Sequence, residues 1–146
     1  MNYFSAADLI QAKLTEHLAA ASLNCHVAKA AGWKHLLESL QMTPACFIWH
    51  QADKIQTNQS GSRGLGKNQI VDQIWNVVVA VRNVGDASGY SAQLDADAII
   101  SAVLALQGDK LDSEHGHLYR AQSQYMSGYV KGFGIYPFAF STRIFT

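Results

Sequence analysis

The chain has 146 residues, 49% of them hydrophobic and 15% charged, with Lys+Arg and Asp+Glu at 11 each and a formal net charge of zero at pH 7. A chain of this size buries roughly 68–70% of the surface it exposes when unfolded, enough for a single domain over residues 1–146 with no disulfide or metal staple. The balanced charge argues against a dedicated nucleic-acid or anionic-membrane binder, and apolar runs such as Val77 to Val81 and Ala102 to Leu106 fall well short of the ~18 residues of a membrane-spanning helix.

The opening Met1-Asn2-Tyr3-Phe4-Ser5 lacks the basic and apolar regions of a secretory signal, so a reducing cytosol is expected and Cys25 and Cys46 are read as thiols. Ser5-Ala6-Ala7-Asp8 predicts a capped helix start with Phe4 and Leu9 as a hydrophobic staple. Ile10, Leu14, His17, Leu18 and Ala21 then recur at helical spacing and define one buried face. Asn24 to Lys29 reads as a short strand. Trp33 to Leu40 reads as a short helix closed by Thr43-Pro44, because a residue before proline is driven out of the α region. Ala45 to Asp53 reads as a strand with Phe47 and Trp49 on one face and Cys46, Ile48 and His50 on the other.

The segment from Thr57 to Asn68 has three glycines and Leu65 as its only large apolar residue, which predicts an exposed, mobile loop. The strongest strand follows at 73–82. Trp75, Val77, Val79 and Val81 alternate with Ile74, Val78 and Ala80, so both faces are apolar and the strand is expected to be central and covered on each side. The turn at 85–89 leads to a helix expected over 93–107. Its buried rows are Leu94, Ala98, Ala102, Leu106 and Ile99, Val103, with Gly108 in a left-handed cap. After a polar loop at 109–117, residues 118–130 and 135–145 predict a terminal hairpin around Gly132 and Gly134, with Pro137 at an edge or a bulge.

Several motifs carry possible chemistry. Gly61 to Asn68 has the GxxxxGK spacing of a phosphate-binding loop, but Asn68 stands where a Ser or Thr would hold magnesium and a strand rather than a helix follows, so nucleotide hydrolysis is rejected. Cys46 and His50 lie four residues apart, about 13 Å along a strand, too far to share a zinc ion. His115 and His117 are read as a solvated pair, Cys25-His26 point to opposite sides of a strand, and Asp95 and Asp97 do not face each other on a helix. No metal, no cofactor and no catalytic residue is expected. The aromatic crowding at Tyr119, Tyr125, Tyr129, Phe133, Tyr136, Phe138, Phe140 and Phe145 instead suggests a surface for self-assembly.

The order of elements, the strand Gln73-Ile74-Trp75-Asn76-Val77-Val78-Val79-Ala80-Val81-Arg82, the helix end Ala102-Val103-Leu104-Ala105-Leu106-Gln107-Gly108 and the aromatic hairpin together resemble the tail terminator and minor tail proteins of long-tailed phages, including lambda-like and Mu-like prophage types. The resemblance implies an α+β fold: a mixed, mainly antiparallel sheet of four to five strands, packed by two main helices and one short helix. It implies a structural protein, not an enzyme, that caps the tail tube as a ring, typically a hexamer, stops polymerisation and joins tube to head. Its partners would be copies of itself, the tail tube protein and a head-completion protein, with no membrane and no specific nucleic acid, in the virion and in the host cytoplasm during assembly. On that reading Arg63, Lys67, Tyr136, Phe138, Phe140 and Arg143 are the candidate interface or tube contacts. The contrasting possibility is a small α+β enzyme or ligand-binding domain with a cleft lined by His26, His50 or tyrosines.

Overall fold

The computed structural model describes residues 2–56, 70–83, 88 and 90–145. Its elements, in chain order, are α1 (Ala6–Ala20), β1 (His26–Lys29), α2 (Trp33–Glu38), a 3-10 turn (Leu40–Met42), β2 (Ala45–Ile55), β3 (Ile70–Arg82), α3 (Tyr90–Leu104), β4 (Tyr119–Ala121), β5 (Gly128–Val130) and β6 (Phe133–Phe145). This is the α+β class expected, with a mixed and mostly antiparallel sheet in the order β1-β2-β3-β6-β4, and with β5 also paired to β6.

Strand β3 is central. It pairs antiparallel with β2 from Val71 to Ala80 and with β6 over its whole length, Ile70 opposite Phe145 through Arg82 opposite Phe133. Its odd-numbered Trp75, Val77, Val79 and Val81 face the layer formed by α1 and α3, while Val78 and Ala80 enter a second cluster with Leu36, Leu40, Phe47 and Trp49. The alternation of Cβ direction therefore divides one strand between two cores. Strand β1 lies parallel to β2, His26 opposite Ala45 through Lys29 opposite Ile48. A parallel pair needs a crossover, and α2 with the 3-10 turn supplies it and covers the second sheet face.

Helix α1 buries Ala6, Ile10, Leu14 and Leu18. Its expected side-chain cap is absent: Ser5 has helical backbone angles and makes no capping bond, and Asn2 Oδ1 instead accepts from the Phe4 N–H at 3.1 Å. The helix stops one residue short of the expected Ala21. Leu23 N–H bonds Leu18 O at 2.9 Å and Ser22 N–H bonds Ala19 O at 3.0 Å, with Ser22 at φ 56°, a Schellman ending in which a serine takes the left-handed position.

Helix α3 differs in phase from expectation. It starts at Tyr90 and buries Ala92, Ala96, Ile99, Ala102 and Val103, while Leu94 is 58% exposed and Ala98 also faces outward. The small residues set how closely the helix approaches the sheet: a Cβ at Gly134 would sit 2.9 Å from the Ala92 Cβ and 2.7 Å from the Tyr136 Oη. Gly108 closes the following turns at φ +89°, as predicted.

The terminal segment is more divided than a single hairpin. Strand β4 pairs Ala139 to Ser141 of β6 and β5 pairs Phe133 to Ile135, so β6 is an interior strand and Pro137 falls in the interval that neither piece reaches. Its missing N–H therefore costs no bond on that side. The tight turn is Lys131-Gly132, both at positive φ, the backbone that matches strand twist in a two-residue hairpin.

Candidate functional site

The six residues singled out by sequence divide sharply once placed. Arg63 and Lys67 lie outside the described residues, as does the GxxxxGK segment. Phe140 is fully buried and Tyr136 nearly so, both within the core beneath α1 and α3. Neither is a surface contact, because the even-numbered face of β6 is the one that the helices cover. Burial, together with the neighbouring Tyr129 hydroxyl, pushes the Tyr136 phenol well above its ordinary value. Phe138 lies partly buried on the same face, with the Arg120 guanidinium 5.2 Å over its ring, a cation–π contact at the margin of the core.

Arg143 is exposed on the opposite sheet face. It donates from Nε and Nη2 to the two carboxylate oxygens of Asp72 at 2.9 and 3.2 Å, across directly paired strands. That guanidinium holds the Asp72 carboxyl below the usual carboxylate range. Lys54 is the register partner of Asp72 on β2, so a basic, acidic, basic rung crosses three strands. The next rung is Ala52, Ile74, Ser141 and Tyr119. Together these rungs form a half-face of the sheet beyond the cover of α2, whose cluster reaches only as far as Trp49 and Val78. Strands β2 and β3 lead from this half-face to the 57–69 segment, and Gln56 N–H bonds Ile70 O at 2.9 Å where they end.

The sheet border beside it is open. Strand β1 pairs β2 only as far as Ile48, and Ala30 N–H adds one bond to Ile48 O. From Gln51 to Ile55 the outer side of β2 meets no other strand among the described residues. An unpaired edge of this kind is a template for strand addition. Farther along, Gln11 Nε2 donates to Val27 O at 3.0 Å and closes part of the β1 border.

A second exposed region was not legible as such. Tyr90 and Leu94, one helical turn apart on α3, are 59% and 58% exposed. Gln93 Nε2 donates to Tyr129 Oη at 3.0 Å and brings the half-exposed Tyr129 of β5 to the same end of the molecule. Tyr119 and Tyr129 belong to the aromatic run already noted. The expected phase places Leu94 in the buried row and so hides this patch; the Ala92, Ala96, Ile99, Val103 spacing is the signal for the observed phase.

The residues of the enzyme reading do not converge. His50 bonds Asp53 Oδ1 at 2.7 Å and packs edge-on against Phe4 and Trp75. Tyr3 Oη donates to the other Asp53 oxygen at 2.6 Å and Gln73 Nε2 donates to Tyr3 O at 2.8 Å, so this cluster straps the N-terminal segment to the sheet. The Asp53 carboxylate raises the Tyr3 phenol above its ordinary value. His26 is exposed on the border strand. His115, expected to be solvated beside His117, is buried and paired through Nδ1 with Asp112 Oδ1 at 2.7 Å. A cleft of 620 Å³ does open between Leu23, Pro44, Arg82, Asp95, Ile99 and Phe133, among others, but it includes neither His26 nor His50. No described helix is long and apolar enough to cross a membrane.

Compared with known proteins, residues 1–146 match the family described as phage tail terminator protein. Among solved structures, a chain in the virion of a native gene transfer agent particle aligns at 16% identity and a TM-score of 0.47, covering 98% of this chain and 99% of that one. No curated protein matches.

Proposed function

This chain belongs to the phage tail terminator family, whose members are structural phage proteins, and from that premise we propose that it caps the tail tube as a ring of identical subunits, halts tube polymerisation and offers the head a surface to join. The family match over the whole chain carries this reading. In it residues 1–146 act as one domain, and the partners are copies of the chain, the tail tube protein and a head-completion protein, brought together in the host cytoplasm and retained in the virion.

A closed ring requires two different complementary patches on each subunit. The uncovered rung of Lys54, Asp72 and Arg143 with the β2 border supports one patch, and Tyr90, Leu94 and Tyr129 support the other. Phe138, at the margin of the core beside Arg120, completes the aromatic side. The pairing of the two long strands ends at Gln56 and Ile70 beyond the cover of α2, and the basic Arg63 and Lys67 of the intervening sequence are assigned to contacts with the tube or its channel.

The test is polymerisation of purified tail tube protein followed by electron microscopy, with and without this chain. Expected are tubes that stop elongating and bear density at one end, together with a scattering mass several times the 16.0 kDa of the subunit. Tubes that keep growing beside a monomeric chain overturn the reading. Alanine at both Arg63 and Lys67 is expected to weaken tube capping; unchanged capping removes that segment from the contact.

A further inference from the structure

Two thiols stand outside every surface described above. Cys46 is buried on β2, Cys25 is half-buried just before β1, and their sulphurs are 3.8 Å apart. Register explains the meeting: Cys46 pairs with Val27, and Cys25 sits two residues before Val27, so its side chain points to the same sheet face. Both cysteines pack at the core beneath α1.

We propose that Cys25 and Cys46 are an oxidation site, closed by peroxide to an intramolecular disulfide that fastens the border strand β1 to β2. The two positions are chemically unequal. Cys25 is the accessible member and its thiol is pulled below the ordinary value by the hydrogen bond it shares with Cys46. Cys46 is pushed up by the contact with Cys25 and by burial. Cys25 is thus the member that meets oxidant first, reacting through its thiolate fraction, and the buried Cys46 is the one that resolves it.

In the first step the Cys25 thiolate attacks one peroxide oxygen. The O–O bond breaks, a sulfenic acid forms, and the departing hydroxide takes a proton to leave as water. In the second, the Cys46 sulphur attacks the sulfenic sulphur, the S–O bond breaks, and the hydroxyl leaves as water with the thiol proton. Two thiols and one peroxide become one disulfide and two waters. Closing the gap to the ~2.05 Å of an S–S bond requires movement. Cys25 is free to make it, because it lies in the connection after α1 and outside the β1 ladder. That connection also supplies Leu23 and Asn24 to the wall of the 620 Å³ cleft, so the bond would draw this wall toward the start of β2. A particle released from a reducing cytoplasm meets the conditions that form such bonds.

The full chain, reduced and freed of reductant, is treated with hydrogen peroxide in its native state and read by intact mass and peptide mapping. The expected product is a single chain, not cross-linked to another, lighter by two hydrogens, with the peptides containing Cys25 and Cys46 joined and an unfolding temperature raised until reductant is added. In Cys46→Ala the expected product is a Cys25 sulfenic acid captured by a dione probe. In Cys25→Ser peroxide consumption should slow markedly. Wild-type chain that gains oxygen at Cys25 without losing two hydrogens, or that cross-links only between chains, overturns the proposal, and neither result depends on the variants folding.

Discussion

Side chains along strand β6 carry very different weight here. Phe140 faces Trp75 across β3 and β6 and is fully buried, so Phe140→Ala should cost about 3–5 kcal/mol through lost burial and the cavity left behind, seen as a lower urea midpoint with an unchanged slope. Arg143, three positions further along the same strand, contributes through charge instead. Its half-exposed pair with Asp72 is expected to contribute less than about 1 kcal/mol and to depend on pH in a definite direction. Asp72 is more acidic folded than unfolded, so the stabilisation is complete above the ordinary Asp value of about 3.9 and is lost as pH falls through the lower folded value. Urea unfolding at pH 6 and at pH 3 should show the destabilisation of Asp72→Asn shrinking from the first to the second. A difference of the same size at both would assign the effect to packing.

Elements were legible where one residue pattern had one structural answer. The alternation through Trp75, Val77, Val79 and Val81, apolar on both faces, admits only a covered central strand, and β3 is that strand. Helix α3 is legible as a helix but less so in its phase, because apolar residues occur on several of its sides; the phase observed is the one that brings the small Ala92 against Gly134. The same ambiguity hid the core role of Tyr136 and Phe140, since alternation along β6 does not say which face the helices will cover. Two endings were illegible for another reason: they place a residue other than glycine in the left-handed region. Ser22 ends α1 at φ 56° and Lys131 opens the β5–β6 turn at φ 51°, where a side chain costs roughly 1–2 kcal/mol. Ser22→Gly and Lys131→Asn, the latter creating the Asn-Gly pair preferred in such turns, should each raise stability by about 0.5–1 kcal/mol. Thermal melts with no upward shift for either would mean that the surrounding contacts, not the backbone, set those angles.

For the whole molecule, the proposed ring would make a single patch decisive, because each subunit would use its two surfaces once and the loss of either would open every joint. Leu94 separates folding from assembly. It is 58% exposed and lies off the buried row of α3, so Leu94→Lys should leave stability within about 0.5 kcal/mol of wild type, as surface changes usually do. If Tyr90, Leu94 and Tyr129 form the aromatic side of the joint, a charge placed between two tyrosines must be desolvated on association, and buried unpaired charge is among the costliest defects an interface can carry. The variant should then scatter light as a 16.0 kDa monomer with an unaltered circular dichroism melt, and tubes should elongate in its presence. Arg143→Glu tests the other patch independently, reversing the rung that Lys54 and Asp72 frame. Loss of assembly in both variants, each still folded, fits a joint between unlike surfaces. Loss in Arg143→Glu alone would place both sides of the joint on the uncovered half-face and its open border, a like-to-like contact that makes dimers and closes no larger ring.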